Sequence, residues 1–306
     1  MTGTGKREKK WIPGRTKGDG LFHAVSFVLL TAVLLAVAYP LYFVIIASFS
    51  DPVLVGTGNV WLFPRGFTIE GYQRVLGDPE IIRGYLNSLV YTTVGTAINL
   101  FVTLPAAYAL SRKGLKGRNL IMFFFMLTMF ISGGLIPTFL VVSNLGLLNS
   151  IWALVLPAAL SVYNMVIART FFQNSIPDEL WEVANMDGCS NARFFISIVL
   201  PLSKAIVAIL VLYYGVSHWN SYYNAMVYIT DRNKFPLQLI LRGILTKNQV
   251  SGNMIQADVD LMAQRQYLAE MIKYALIIVS SLPVLVLYPF LQKYFVKGVM
   301  IGSVKG

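Results

Sequence analysis

From Asn119 to Ala168 the chain reads NLIMFFFMLTMFISGGLIPTFLVVSNLGLLNSIWALVLPAALSVYNMVIA, 50 residues without Asp, Glu, Lys or Arg. A soluble domain carries about 25% charged residues, so a run of this length marks lipid as its solvent. One membrane crossing takes about 20 apolar residues as a helix, and the run is too long for one. It breaks at Ser143-Asn144-Leu145-Gly146 and at Asn149-Ser150, where polar residues and glycine favour a turn. Four more charge-free windows flank it: Gly20–Ser50, Gly84–Ser111, Ala205–Thr230 and Tyr274–Gln292. The pattern predicts an all-α polytopic membrane protein with six spans, at about 22–50, 86–110, 119–142, 151–172, 203–229 and 273–292.

Composition agrees: of 306 residues, 56% are hydrophobic and 13% charged. A soluble helical protein would need all these windows to reach membrane length by coincidence. The short alternating strands of a membrane β-barrel do not occur. The first apolar run is longer than the roughly 7–15 residues of a signal-peptide core, and no small-x-small cleavage site follows it. A retained first helix is expected.

Orientation follows from Lys and Arg in the connections. Lys6, Arg7, Lys9, Lys10, Arg15 and Lys17 precede the first span, Arg112, Lys113, Lys116 and Arg118 follow the second, and Lys293, Lys297 and Lys305 follow the sixth. In a six-span chain these regions share one side, so both termini are expected in the cytoplasm. The net charge of +11 is mostly this bias. A nucleic-acid partner is not expected, because the basic residues are spread over several loops rather than along one face. Cys189 is the sole cysteine, which excludes an internal disulfide and leaves a small, semi-apolar free thiol.

Residues 1–20 read as a basic tail, with a single transmembrane domain over 21–306. The connection 51–85 is rich in Gly and Pro, with a short surface helix expected from Gly71 to Arg83. In the external connection 230–272, Leu237, Ile240, Leu241, Ile244 and Leu245 form one apolar stripe after Pro236. That helix is expected along the bilayer surface or beneath an external partner. Gly133-Gly134, with Pro137 after them, should kink the third span, and Pro105 and Pro283 also fall inside spans.

The segment 174–201 between the fourth and fifth spans is polar. Pro177 suits a first helical turn after Asn174 or Ser175 as cap, and Asp178 and Glu179 suit the positive end of the helix dipole. Leu180, Val183, Ala184 and Asp187 fall on one helical face, Gly188 has the place of a C-terminal cap, and Ser190 can start a second helix running to Leu200 and Pro201. Asp178, Glu179, Glu182 and Asp187 give this cytoplasmic connection an acidic excess that suits a basic protein partner.

Glu182-Val183-Ala184-Asn185-Met186-Asp187-Gly188, followed at fixed spacing by Ile198-Val199-Leu200-Pro201, resembles the signature loop of binding-protein-dependent ABC importer permeases. From about residue 20 to 306 the chain is similar to the maltose-type carbohydrate permeases. The end Leu291-Gln292-Lys293-Tyr294-Phe295-Val296-Lys297-Gly298, closing on Gly302, Lys305 and Gly306, matches one of their subgroups. Val183 and Cys189 stand where the family often has Ala, both small apolar exchanges. The resemblance implies the type I ABC importer permease fold, with a cytoplasmic coupling helix that docks on an ATPase through Leu180, Glu182, Val183, Ala184, Asp187, Gly188, Leu200 and Pro201. It implies a tail whose Gly302, Lys305 and Gly306 reach the ATPase interface. It also implies a prokaryotic inner-membrane location, a second homologous permease, a dimer of ATPase subunits, an extracytoplasmic sugar-binding protein, and oligosaccharides, some bearing uronates, as cargo.

No phosphate-binding Gly-x-x-x-x-Gly-Lys-[Ser/Thr] loop occurs, since Gly3-Thr4-Gly5-Lys6 is too short and Arg7 follows it. The chain is therefore expected to bind no cofactor, with ATP and Mg on partner subunits and no catalysis of its own. The alternative, an ion-coupled carrier, needs ionisable residues inside the membrane. Tyrosines aside, only His218 falls within the charge-free spans. Neither metal-ligand spacing nor a nucleophile–base pair supports a membrane enzyme. Asn87, Tyr91, Asn99, Tyr163, Asn164, Trp219, Asn220 and Tyr223 are candidates to line a sugar pathway, and an interfacial aromatic belt is the competing reading of the cluster around Trp219.

Overall fold

The computed structural model describes residues 17–251 and 259–303, and among them there is no strand. The chain divides into two compact units, Met1–Phe67 and Thr68–Gly306. In the first unit, α1 (Lys17–Ser48) is apolar all round and exposed along its apolar window, which requires lipid or protein around it. Asp51 then caps α2 (Pro52–Gly56), its Oδ1 accepting from Val53 N at 2.8 Å, with Pro52 in the first turn.

The second unit opens with α3 (Glu70–Gly77) and α4 (Pro79–Ser111). The single helix expected over Gly71–Arg83 is two pieces, because Asp78-Pro79 is a strong start signal. Asp78 Oδ1 accepts from Glu80 N at 2.8 Å, and the second long helix begins at Pro79 rather than near 86. Then come α5 (Arg118–Phe130) and α6 (Leu135–Asn144), which meet at 111°. The kink expected at Gly133-Gly134 is thus a sharp fold, made at Gly134 with φ +84°, a conformation that L side chains rarely adopt. The next turn passes Gly146 and Asn149, the one described non-glycine residue with positive φ (58°).

After it, α7 (Ile151–Val155) runs through a 3-10 turn to Ala158 and meets α8 (Val162–Ser175) at 51°. The chain continues through α9 (Asp178–Met186), α10 (Asn191–Phe194), a π turn at Phe195–Val199 and α11 (Leu200–Leu202). It then bends by 83° into α12 (Lys204–Trp219). Pro201 has no N–H to give the helical ladder, and the widened π turn just before it is where such a defect is absorbed. The expected fifth span, 203–229, ends at Trp219, and α13 (Tyr223–Tyr228) is separate. Three described helices are long and apolar enough to cross a membrane, and six crossings result when each of the three bent pairs counts as one.

α14 (Leu237–Ser251) and α15 (Val259–Ser303) complete the unit. Helix therefore occupies much of the 230–272 connection and continues past 293. The apolar stripe of α14 packs into the chain's own core rather than lying open for a bilayer surface or partner. Leu237 and Ile240 are buried with Val75, Ile81, Trp219, Ala275 and Leu276, and Leu241 and Ile244 pack against them. The start of α14 is also stitched to α4: Ser88 Oγ accepts from Leu237 N at 2.9 Å, and Glu80 pairs with Arg232 at 2.6 Å. Pro283 and Pro289 lie inside α15 without ending it. A second core, around Tyr108, Met165, Phe172, Phe194 and Ile206, fills the space between the other end of α4, α8 and α12.

Candidate functional site

The polar segment after α8 is built by local signals and then pinned by long-range ones. Ser175 is the last residue of α8 rather than a cap, and Pro177, extended at φ −59° and ψ 147°, stands at the N-cap of α9 without a side-chain hydrogen bond. Asp178 and Glu179 occupy the first turn as expected from the dipole. The end is a Schellman motif: Gly188 N donates to Asn185 O at 3.0 Å and Cys189 N to Ala184 O at 2.9 Å, with Gly188 at φ +72°. Cys189 packs at the edge of the core beside Ala184, a structural use of a small side chain. Ser190 caps α10, its Oγ accepting from Arg193 N at 3.3 Å.

Which face of α9 is buried differs from the expected stripe. Ala184 is 9% exposed and Trp181 packs edge-on against Phe194 with ring centres 5.2 Å apart. Both belong to the chain's own core, so Ala184 is spent inside the chain. Leu180, Val183 and Met186 are 41%, 56% and 79% exposed and point the other way, so the free apolar row runs 180, 183, 186. Met186 was missing from the expected set, although i, i+3 spacing from Val183 marks it. Glu179, Glu182 and Asp187 are exposed and make no ion pair among the described residues. An acidic rod with an uncovered apolar row is the chemistry of a helix that docks in a groove with basic residues. Leu200 is half-buried against the core and Pro201 is exposed at the bend.

The residue that fixes α9 in place was not foreseen. Arg112, at the end of α4, donates to Ile176 O at 3.3 Å and to Phe172 O at 3.5 Å. It also meets Asp178 at 3.5 Å and lies over the Tyr108 ring at 5.1 Å. It thus neutralises the carbonyl end of α8 and the first carboxylate of α9 together. Lys113 adds a second cation at 2.9 Å from Asp178. A groove of about 930 Å³ lies beside them, lined by Pro105, Tyr108, Leu115, Trp181, Glu182 and Phe195 among others. Asp178 is therefore not part of the free acidic charge.

That pair has a pH signature. The Lys113 hydrogen bond, more than its charge, holds the Asp178 carboxyl below the ordinary value of 3.8. A depressed carboxyl contributes stability above its ordinary pKa and loses it as pH falls through the lowered one. Amide protection over residues 176–188 is expected to stay level from pH 7 to about 5 and to fall only below about 4. Loss between pH 7 and 5, followed by hydrogen exchange, would contradict this assignment. Gly188→Val should cost about 1–2 kcal/mol, because a β-branched residue is forced into the left-handed region. No atom lies within 4 Å of a Cβ there, so the cost is backbone strain and not a clash. Faster exchange at 184–189, with the core around Phe172 unchanged, is the expected readout.

The expected pathway residues divide between bonded or buried positions and exposed ones. Asn87 Nδ2 donates to Asn233 O at 2.9 Å and Phe235 O at 3.1 Å, and the Tyr91 hydroxyl donates to Lys234 O at 2.9 Å. Both stitch α4 to the turn before α14. Trp219 is buried, with Nε1 donating to Ser280 O at 2.9 Å and its ring edge-on to Tyr85. Asn164 is buried in the first turn of α8, and Asn99 is wholly buried. Tyr163, Asn220 and Tyr223 are exposed. Gly302 lies in the last turn of α15, and Lys305 and Gly306 fall outside the described residues.

An all-α chain with several helices apolar enough to cross a membrane, and a short polar helix exposed between two of the bent pairs, has the architecture of a membrane transport subunit. The family model for the binding-protein-dependent transport system inner membrane component matches residues 81–301, and the chain belongs to that family of ABC transporter permeases. Its fold is the type I importer permease fold. It is similar to Protein LplC of Bacillus subtilis (strain 168), 40% identical over 291 residues, 95% of this chain and 97% of that protein. The polygalacturonan/rhamnogalacturonan transport system permease protein YtcP of the same organism is 42% identical over 287 residues, 94% and 99% of the two chains. Among solved structures, that of a bacterial ABC transporter involved in the import of the acidic polysaccharide alginate matches with TM-score 0.82 and 32% identity. The match covers 93% of this chain and 100% of that one. The ion-coupled carrier reading falls with this membership.

Proposed function

We propose that the chain is one of two homologous permease subunits of an ATP-driven importer for acidic oligosaccharides. In this reading α9 is the coupling helix, docked in a dimer of ATPase subunits, and a sugar-binding protein delivers cargo to the opposite side. Both termini and α9 face the cytoplasm, in keeping with the Lys and Arg bias of the connections. ATP and Mg are held by the ATPase partners, which carry out hydrolysis. Closure of the ATPase dimer draws α9 inward, and α8, joined to it through the two-residue link Ile176-Pro177 and by Arg112, carries that movement into the membrane.

The observation that carries the substrate class is near-full-length similarity to two proteins whose names specify uronate-rich polysaccharides, polygalacturonan/rhamnogalacturonan and alginate. The test is ATP hydrolysis by the reconstituted complex with its binding protein, challenged with galacturonate oligomers and with neutral oligomers of the same length. Stimulation by the acidic set alone is expected. Equal stimulation by neutral oligomers would overturn the acidic class, and no stimulation by any oligosaccharide would overturn the sugar reading.

A further inference from the structure

The break between α7 and α8 is held by side chains of two other helices. Around Ala159–Ser161 the backbone leaves helical geometry, and at membrane depth the groups so freed have no water to satisfy them. Asn99 of α4, wholly buried, donates from Nδ2 to Ala158 O at 2.6 Å. On the far side of the break, Ser161 N donates to the Tyr214 hydroxyl of α12 at 3.2 Å, and that hydroxyl lies 2.7 Å from Thr103 Oγ1 of α4. A further bond closes the set, Asn99 Oδ1 to His218 Nε2 at 2.6 Å. Ala158 O can only accept, so the amide nitrogen of Asn99 must face it. Its oxygen then faces His218, and Nε2 must carry a hydrogen. The arrangement is directional, and each half of the break is tied to both α4 and α12.

We infer that Asn99, His218, Thr103 and Tyr214 form a clamp that sets the angle of the broken helix and so positions α9. They are positioning residues for coupling rather than contacts for the transported sugar; the coupling half of this inference rests on the proposed function. The lever is long. α8 has 14 residues, about 21 Å at 1.5 Å per residue, so a change of 10° at the break moves its far end by about 4 Å. Arg112 of α4 bonds both that far end and Asp178 of α9, so a displacement of the end of α8 is felt by the docking helix.

The clamp makes the two hydroxyls unequal. Thr103→Val removes one side-chain bond and leaves Ser161 N paired with Tyr214. Tyr214→Phe removes that acceptor as well and should act more strongly, whereas Thr103→Ser keeps the bond and should behave as the parent. The test uses the full complex with Cys189→Ala and spin labels at Trp152→Cys in α7 and Thr170→Cys in α8, both exposed positions. Tyr214→Phe is expected to shift or broaden the label distance by about 2 Å. It should also lower the ratio of stimulated to basal ATP hydrolysis about tenfold, within the 5–150-fold range of coupling energies. An unchanged distance in Tyr214→Phe overturns the clamp, whatever the transport activity. A changed distance with an unchanged ratio overturns its part in coupling. Asn99→Leu repeats the measurement from the other side of the break, so failure of one variant to assemble still leaves a decision. If the parent complex shows no stimulation, the functional reading fails, and the distance alone decides the clamp.

Discussion

Glu182→Lys is expected to release the ATPase partners while leaving the chain itself intact. Glu182 is exposed, makes no ion pair among the described residues and borders the groove beside Arg112 and Lys113. Trp181 and Ala184, on the buried side of α9, hold the helix in place without it. Removing one member of a desolvated interfacial charge pair costs about 2–5 kcal/mol, and reversal adds repulsion, so the partners should bind about 30-fold more weakly or worse. Co-purification of the ATPase subunits and uptake should both collapse, and the thermal stability of the isolated permease should not move. Glu182→Gln, which keeps a hydrogen-bonding head without the charge, should fall between. A charge-reversed chain that still co-purifies at parental yield would remove α9 from the interface.

The value of that test depends on what was legible in the residues and what was not. The long apolar helices could be read because membrane thickness imposes a length, and charge-free windows report it directly. The position and ends of α9 could be read because Pro177, the two acids and Gly188 act within a few residues of one another. Its buried face could not. On a helix of 9 residues, the sets around Leu180 and around Trp181 both fit the period, and the choice is made by Phe194, a tertiary partner. The same contrast holds for the breaks. Gly133-Gly134 announces a break locally, since glycine alone is comfortable at φ +84°. The break at 159–161 carries a weaker mark, Ser161 capping α8 with its Oγ accepting from Asn164 N at 3.4 Å, and its other bonds come from Asn99 and Tyr214 elsewhere in the chain. Polar residues inside spans were hard to assign for that reason. Asn87, Tyr91 and Asn99 have the composition of a sugar pathway, and the structure employs them in bonds to backbone carbonyls.

Gly95→Ala tests the contact of α4 with α12 by volume rather than by bonding. A Cβ at Gly95 would lie 2.6 Å from both Cε1 and Nε2 of His218 and 2.8 Å from Cδ2. The imidazole is not free to swing aside, since its Nε2 is held at 2.6 Å from Asn99. Overpacking of this kind costs about 1–3 kcal/mol, and a buried amide oxygen left unpaired adds about 1–3 kcal/mol. A loss of about 3 kcal/mol is expected, seen as a lower melting temperature of the purified complex. The cause can be isolated by pairing it with His218→Ala, which removes the ring that a new methyl would strike. The double variant should be more stable than the sum of the single losses implies, because after one change the other no longer meets its obstacle. Strict additivity would mean that the methyl at 95 and the imidazole never meet, and the close approach of α4 and α12 at this point would have to be abandoned.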